Sequence, residues 1–188
     1  MVEILSCNVQ GSGPNQTIIL EMGAKRNVEV ILIQELRVTT HKQTPTHHEY
    51  TLYEPSHIWD KDLKTLTYVR KDISASVTPY DMHLGHMTSV FLTQQNVHIH
   101  NIYRPGGSGD ESWIHQRIMS LKGNRMVIAG DFNKIGFGGT DTDPRLSTSE
   151  NLLDFLNQHQ QILNDPDIPT RGQAVLDLAC SNIPGARA

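Results

Sequence analysis

The residues best suited to chemistry lie where apolar runs stop. Asn8 closes the first such run, Glu35 the second, Tyr103 the run before a glycine turn and Asp131 the next, while Asp177 lies within the last. Strand termini at one edge of a sheet are common places to build a site, because the backbone holds them rigidly. Any single acid in such a position is ordinarily a turn-former, so the reading rests on the set. The set suits cleavage of a phosphodiester. A hard divalent cation such as Mg²⁺ takes oxygen ligands, keeps several waters and is commonly held by one or two carboxylates together with substrate phosphate. Glu35, assisted by the amide oxygen of Asn8, supplies such a metal site, with Mn²⁺ as the alternative ion. An ion there polarises the phosphoryl oxygen and stabilises the leaving alkoxide. A second carboxylate must orient or deprotonate the attacking water, and Asp131 is the candidate. Asn133, two residues on, can donate its amide hydrogens to a phosphate oxygen without adding charge. Tyr103 can donate to the same phosphate, and Arg104 or Arg171 to neighbouring ones.

The elements that must position these residues read as follows. Residues 2–9 form a strand apolar on both faces, which suits a central position. A polar and glycine break, Gly11-Ser12-Gly13-Pro14-Asn15, precedes a helix over 16–26 with Ile19, Leu20 and Met22 on its apolar side. Residues 28–35 are the most strand-like run. Residues 37–48 read as a polar surface loop. Four short strands follow at 50–53, 66–69, 73–77 and 87–93, then one at 97–103. Ser112 is the N-cap of a helix bearing Trp113, Ile118 and Leu121 and stopped by Gly123. The apolar strand 126–131 precedes a glycine-rich loop at 136–139. Ser147 and Glu150 form a capping box for a helix carrying Leu152, Leu153, Phe155 and Leu156. A last strand occupies 174–179. Many apolar strands and few helices predict two packed sheets with helices on the outer faces.

Composition limits the function. With 188 residues, the chain fits one domain, expected to cover 1–188. Charged residues are 19%, too few for disorder by charge excess. A formal charge of −4 argues against a protein that coats nucleic acid through bulk positive charge. It is compatible with a nuclease whose ion supplies local positive potential. Cys7 and Cys180 each lie in an apolar run and read as buried free thiols. No run approaches the ~20 apolar residues that span a bilayer, and Met1-Val2-Glu3-Ile4-Leu5 lacks a basic leader. A soluble, intracellular protein with no membrane partner is expected.

The motifs Asn8-Val9-Gln10-Gly11, Ile33-Gln34-Glu35, Asn101-Ile102-Tyr103-Arg104-Pro105, Gly130-Asp131-Phe132-Asn133 and Leu176-Asp177-Leu178, in this order and spacing, resemble the endonuclease/exonuclease/phosphatase superfamily. Within it, the Tyr-Arg-Pro-Gly turn and compact loops are most similar to the endonuclease domain of LINE-type non-LTR retrotransposon proteins. The resemblance covers roughly residues 2–182. It implies a four-layered α/β sandwich of two β-sheets flanked by helices, as in deoxyribonuclease I. It also implies roles: Glu35 as main metal ligand with Asn8 beside it, Tyr103 on the phosphate, Asp131 positioning the water and Asn133 the scissile group. Thr170, in Pro169-Thr170-Arg171, matches a threonine near the substrate phosphate. Asp177 matches an acid that orients a catalytic histidine. For LINE members the implied reaction is a nick in one DNA strand, with DNA as partner and the nucleus as location.

The chain departs from that pattern in one respect. The histidine belongs in a Ser-Asp-His motif on a final strand, and no Ser-Asp-His occurs in this sequence. Loss of one such electrostatic group would slow turnover by roughly 10²–10³. The expected fold is therefore C-terminally truncated, with an open sheet edge covered by a second copy or by a partner chain. A catalytically inactive protein that keeps the fold for interaction or nucleic-acid binding is the alternative function, and a small-molecule phosphoesterase the third. Among ten histidines, His83 and His86 read as loop residues rather than metal ligands. His98 and His100 share a strand face opposite Tyr103 and read as packing or interface residues. His47-His48 reads as solvated, and His115 and His159 fall in expected helices. Asp141-Thr142-Asp143 reads as a turn, and the 136–139 loop lacks the lysine of a P-loop.

Overall fold

An unbroken run of aliphatic residues has no polar face and must be covered on both sides. Val30-Ile31-Leu32-Ile33 is such a run, and it lies at the centre of the fold. The computed structural model describes residues 2–36, 44–54, 63–78, 86–104, 125–133, 162–164 and 177–187. Its strands are β1 (Ile4–Asn8), β2 (Val30–Gln34), β3 (Tyr50–Tyr53), β4 (Thr65–Arg70), β5 (Ala75–Val77), β6 (Met87–Leu92), β7 (Val97–Tyr103), β8 (Met126–Asp131), β9 (Ile162–Asn164) and β10 (Asp177–Ser181), with one described helix, α1 (Gly13–Lys25). The strands make a four-stranded sheet, order β1-β2-β4-β3, and a six-stranded sheet, order β5-β6-β7-β8-β10-β9. Pairing is antiparallel except for β1 with β2 and β7 with β8. The β1–α1–β2 unit is the crossover that a parallel pair requires.

Alternation along β2 divides its side chains between two cores. Ile31 and Ile33 pack with Leu20 of α1, Tyr50, Leu66 and Tyr68 on the helix side. Val30 and Leu32, with Val69 of their own sheet, face the other sheet against Val90, Leu92, Val97, Ile99 and Ala129. The two sheets therefore lie face to face with α1 on the outside of the smaller one, as an α/β sandwich. Helices expected over 112–123 and from Ser147, the 136–139 loop and Asp141-Thr142-Asp143 lie outside the described residues.

Several boundaries differ from the sequence reading. The helix begins at Gly13 rather than 16, because Pro14 sits in its first turn, where a missing N–H costs nothing. The Ser12 hydroxyl caps it by accepting from Asn15 N–H (3.3 Å). Ile73 is buried but precedes β5, held in a turn by its N–H to the Arg70 carbonyl (2.9 Å). The last strand, described over Asp177–Ser181, runs two residues past 179, while 174–176 lie outside the described residues. β9 went unanticipated because three residues carry no readable period; it exists by pairing with β10. Cys7 is half-buried rather than buried, and Cys180 is 2% exposed. By alternation Cys7 shares the helix-side face of Leu5, whereas Cys180 lies on the outer face of the other sheet, so neither faces the other.

Two observations yield quantitative expectations. At Gly130 the backbone has φ of 149°, and an added Cβ would lie 1.9 Å from the Ile102 carbonyl oxygen. Gly130→Ala should therefore cost at least about 3 kcal/mol, measured by urea unfolding. A loss under about 1 kcal/mol would show that β7 and β8 can separate there at little cost. Burial pushes the Cys180 thiol up to about 12 from 9.0. Above pH 9.0 the unfolded thiol loses its proton while the native one keeps it, so this contribution to stability declines as pH rises toward 12. The slope is at most about 1.4 kcal/mol per pH unit. Cys180→Ala should lose less stability than the parent between neutral pH and pH ~10.5; equal losses would refute the assignment.

Candidate active site

One end of the sandwich collects the polar strand termini. In the six-stranded sheet, Tyr103 is the register partner of Asp131, and Asp131 of Asp177. On the other flank, Tyr103 N–H donates to the carbonyl of His86 (2.8 Å). His86, just before β6, thus stands in line with Tyr103, Asp131 and Asp177 of the three adjacent strands β7, β8 and β10. In the smaller sheet, Asn8 is the partner of Gln34, which immediately precedes Glu35. Asn8 and Asp131 close the gap between the sheets: Asn8 Nδ2 donates to Asp131 Oδ2 at 2.5 Å.

Asp131 is 1% exposed, so its carboxylate must find donors. Besides Asn8, it accepts from Asn133 N–H at Oδ1 (2.8 Å) and from Asn133 Nδ2 at Oδ2 (3.1 Å). Hydrogen bonds to an ionised acceptor are the stronger kind, so the carboxylate is held in one orientation. The Asn8 amide is fixed from its other end, its Oδ1 accepting from Gln10 N–H (2.8 Å). That oxygen keeps a second lone pair for a cation.

Glu35 does not follow the alternation of β2. Strict alternation would place it on the helix side with Ile31 and Ile33. Its φ of 57° turns the chain at that residue, and its carbonyl accepts from Gly11 N–H (2.8 Å). The Glu35 carboxylate comes close enough to Tyr103 to raise the phenol's pKa. The largest cause of that rise is burial, followed by Glu35 and then Asp131. The raised phenol stays protonated and keeps a hydrogen to donate.

Asn133 and Arg104 differ from expectation in detail. The Asn133 Nδ2 hydrogens, expected to face a phosphate, are engaged by the Arg104 carbonyl (2.8 Å) and Asp131 Oδ2 (3.1 Å). Arg104 Nη1 donates to the carbonyls of Phe132 (3.3 Å) and Asn133 (3.2 Å), and Arg104 N–H to that of Asp131 (2.8 Å). Both side chains clasp the loops after β7 and β8, and Asn133 Nδ2 would have to give up one of its bonds to reach a phosphate oxygen. Thr170, Arg171, His83, His115 and His159 lie outside the described residues. For Asp177 the structure supplies the backbone position only.

Among the described residues, no three His, Cys, Asp or Glu side chains gather as a metal cluster. The donor types at the adjoining ends of β1 and β2, the Glu35 carboxylate and the Asn8 amide oxygen, fit an ion that retains most of its water, as Mg²⁺ does. His98 and His100 do lie opposite Tyr103, with rings stacked at 6.2 Å, and His100 Nδ1 is bonded to Ser89 Oγ (2.8 Å). His47 is not solvated as expected; its side chain is 5% exposed, folded inward against Glu21 and the Tyr50 ring. His86 was passed over as a loop residue, yet its ring meets Tyr103 edge-on at 5.9 Å.

No protein-family model and no curated protein matches the sequence. Solved structures do match its fold. The endonuclease domain of TRAS1, a telomere-specific non-LTR retrotransposon, superposes with a TM-score of 0.73 at 20% identity, over 96% of this chain and 84% of that one. An endonuclease/exonuclease/phosphatase family protein from Leptotrichia buccalis gives 0.60 at 16%, over 97% and 88%. The 3′ phosphatase NExo from Neisseria, bound to a product DNA hairpin, gives 0.60 at 14%, over 96% and 86%. The fold is the one these structures share, among them a protein of the endonuclease/exonuclease/phosphatase family. Fold likeness at this identity leaves function to the site itself.

The Tyr103 assignment can be checked by titration. Glu35→Gln and Asp131→Asn should each move the Tyr103 phenol down toward its ordinary value, Glu35→Gln by more. Carbon-13 tyrosine resonances, assigned with Tyr103→Phe, read this directly. An unmoved Tyr103 in both variants would place the carboxylates too far away to act on it.

Proposed function

We propose that this chain is a divalent-metal-dependent DNA endonuclease of LINE type, acting as one domain over residues 1–188 with Mg²⁺ as its ion. The observation that carries this reading is the hydrogen bond from Asn8 in one sheet to Asp131 in the other, which joins the ends of β1 and β8 where Tyr103 stands in register with Asp131 and its phenol feels both Asp131 and Glu35. Two carboxylates and a phenol suit hydrolysis of a phosphodiester: one to hold a cation, one to direct a water, and a neutral donor for the phosphate. The two-sheet fold is shared with nucleases and phosphatases, one of them holding a product DNA hairpin.

Each residue then has a stated task. Glu35 and Asn8 hold the ion, which when bound lowers the negative charge felt by the attacking group. Asp131 accepts a hydrogen from the attacking water and orients it. Tyr103 donates its phenolic hydrogen to a non-bridging phosphate oxygen. Asn133 and Arg104 keep the Asp131 loop closed, so that the carboxylate is in place before substrate arrives.

Supercoiled plasmid incubated with the protein and Mg²⁺ should be nicked. Glu35→Ala and Asp131→Ala should each slow nicking at least ~10²-fold, and chelation of the metal should abolish it. Equal background from all three proteins would remove the enzyme reading and leave the non-catalytic binding protein in its place.

A further inference from the structure

We propose that Asn101 and Gln34 are positioning residues, forming a buried amide bridge between the two sheets that sets Glu35 and Asn8 relative to Tyr103 and Asp131. This deepens the endonuclease reading and takes its functional meaning from it.

Asn101 lies two residues before Tyr103 in β7, on the same inner face as Ile99, and is 0% exposed. Its Nδ2 donates to the carbonyls of Ile33 (3.1 Å) and Leu66 (2.9 Å), both in the opposite sheet. Its Oδ1 accepts from Gln34 Nε2 (2.7 Å), also in the opposite sheet. Gln34 is likewise 0% exposed, and its Nε2 donates further to Ser6 Oγ (3.0 Å). The Asn101 side chain thus commits both its donors and its acceptor across the sandwich. Gln34 Oε1 meets no donor among the described residues.

The placement of the bridge gives it its role. Ser6 precedes Asn8 by two residues, Gln34 precedes Glu35 by one and Asn101 precedes Tyr103 by two. The bridge therefore joins four strands, β1, β2, β4 and β7, at and just beneath the level of the site. Beside it, Thr65, the register partner of Gln34, meets Thr88, the register partner of Asn101, with hydroxyls 2.8 Å apart. Behind this polar layer the inter-sheet core is aliphatic: Val30, Leu32, Val69, Val90, Leu92 and Ile99.

Aliphatic contacts are non-directional and favour no particular stagger on the ångström scale. An amide with three directed bonds does, because an unmade bond leaves a buried polar group unsatisfied. For stability alone, apolar groups of similar volume would serve as well or better at such positions. A misplacement of ~1 Å at the reacting centre costs on the order of 10²-fold in rate, which is the benefit that geometry would supply here.

The test compares Asn101→Leu and Gln34→Met with Leu92→Ala, a core change in the aliphatic layer. Two site amides report the loop geometry: Gly11, which donates to the Glu35 carbonyl, and Arg104, which donates to the Asp131 carbonyl. In Asn101→Leu both should exchange with solvent about tenfold faster relative to the Ile31 and Leu32 amides. In Leu92→Ala all four should accelerate together. Plasmid nicking by Asn101→Leu should fall about 10²-fold in kcat with KM little changed, while folded Leu92→Ala keeps the parent rate. Gln34→Met removes only the Nε2 bonds at nearly constant volume and is read in the same way should Asn101→Leu fail to fold. Exchange at Gly11 and Arg104 in step with the core overturns the proposal, whether or not the parent cuts DNA. Selective loosening with full nicking retained also overturns it. Selective loosening in a protein whose parent never nicks leaves the bridge standing and removes the endonuclease reading alone.

Discussion

Everything at the site depends on two sheets being held face to face with one stagger. Packed sheets lie about 10 Å apart, and side chains from each must cross that gap to meet. Asn8 and Asp131 are 123 positions apart in sequence and come from different sheets, yet their side chains share a hydrogen bond. A slip of one residue in either sheet would turn the inner face of a strand outward and separate them. The aliphatic core between the sheets supplies cohesion; the hydrogen bonds at one end supply alignment.

Much of this was legible in the sequence, for identifiable reasons. β2 and β8 announce themselves because strands covered on both faces must be apolar throughout. Their ends announce themselves because the first polar residue after such a run interrupts it. Asp131 stands out in that way, Asn8, Glu35 and Tyr103 as polar residues at the close of their strands, and the structure brings all four to one end of the sandwich. Gln34 and Asn101 were not singled out for a role of their own. Each is a polar residue inside an otherwise buried strand, and a one-dimensional pattern cannot tell a directed inter-sheet bond from an imperfection in the period. The partners of Asn101 lie 35 to 68 positions away, beyond the reach of any local window. His86 was hidden for a similar reason: it precedes β6 by one residue, and only the pairing of β6 with β7 places it beside Tyr103.

The Asp131 carboxylate shows why amides recur at this site. Asn8 and Asn133 give it three hydrogen bonds without adding formal charge. A lysine or arginine bonded in their place would bring a positive charge onto the carboxylate and compete with a cation for it. The same logic applies one layer down, where Gln34 and Asn101 tie the sheets together with neutral groups. Alignment is therefore achieved with little change to the negative potential that Glu35 and Asp131 create. That potential is felt by the Tyr103 phenol, whose pKa both carboxylates raise.

Backbone conformation points to the same end of the molecule. Glu35, Gln10 and Asn133 all have positive φ, at 57°, 51° and 44°. Each follows the end of a strand that feeds the site: β2, β1 and β8. Asparagine tolerates this region, and Asn27 and Asn96 occupy it in turns elsewhere. A glutamate or glutamine gains no such tolerance, and holding one there costs on the order of 1 kcal/mol or more. Local hydrogen bonds offset that cost. Gln10 N–H donates to Asn8 Oδ1, and Gly11 N–H to the Glu35 carbonyl, so the turn after β1 and the turn after β2 stabilise each other. Glycine at position 35 would relieve the backbone but would delete the carboxylate. A carboxylate kept at a strained backbone position, where its charge is felt by a phenol of the opposite sheet, is a residue retained for its side chain.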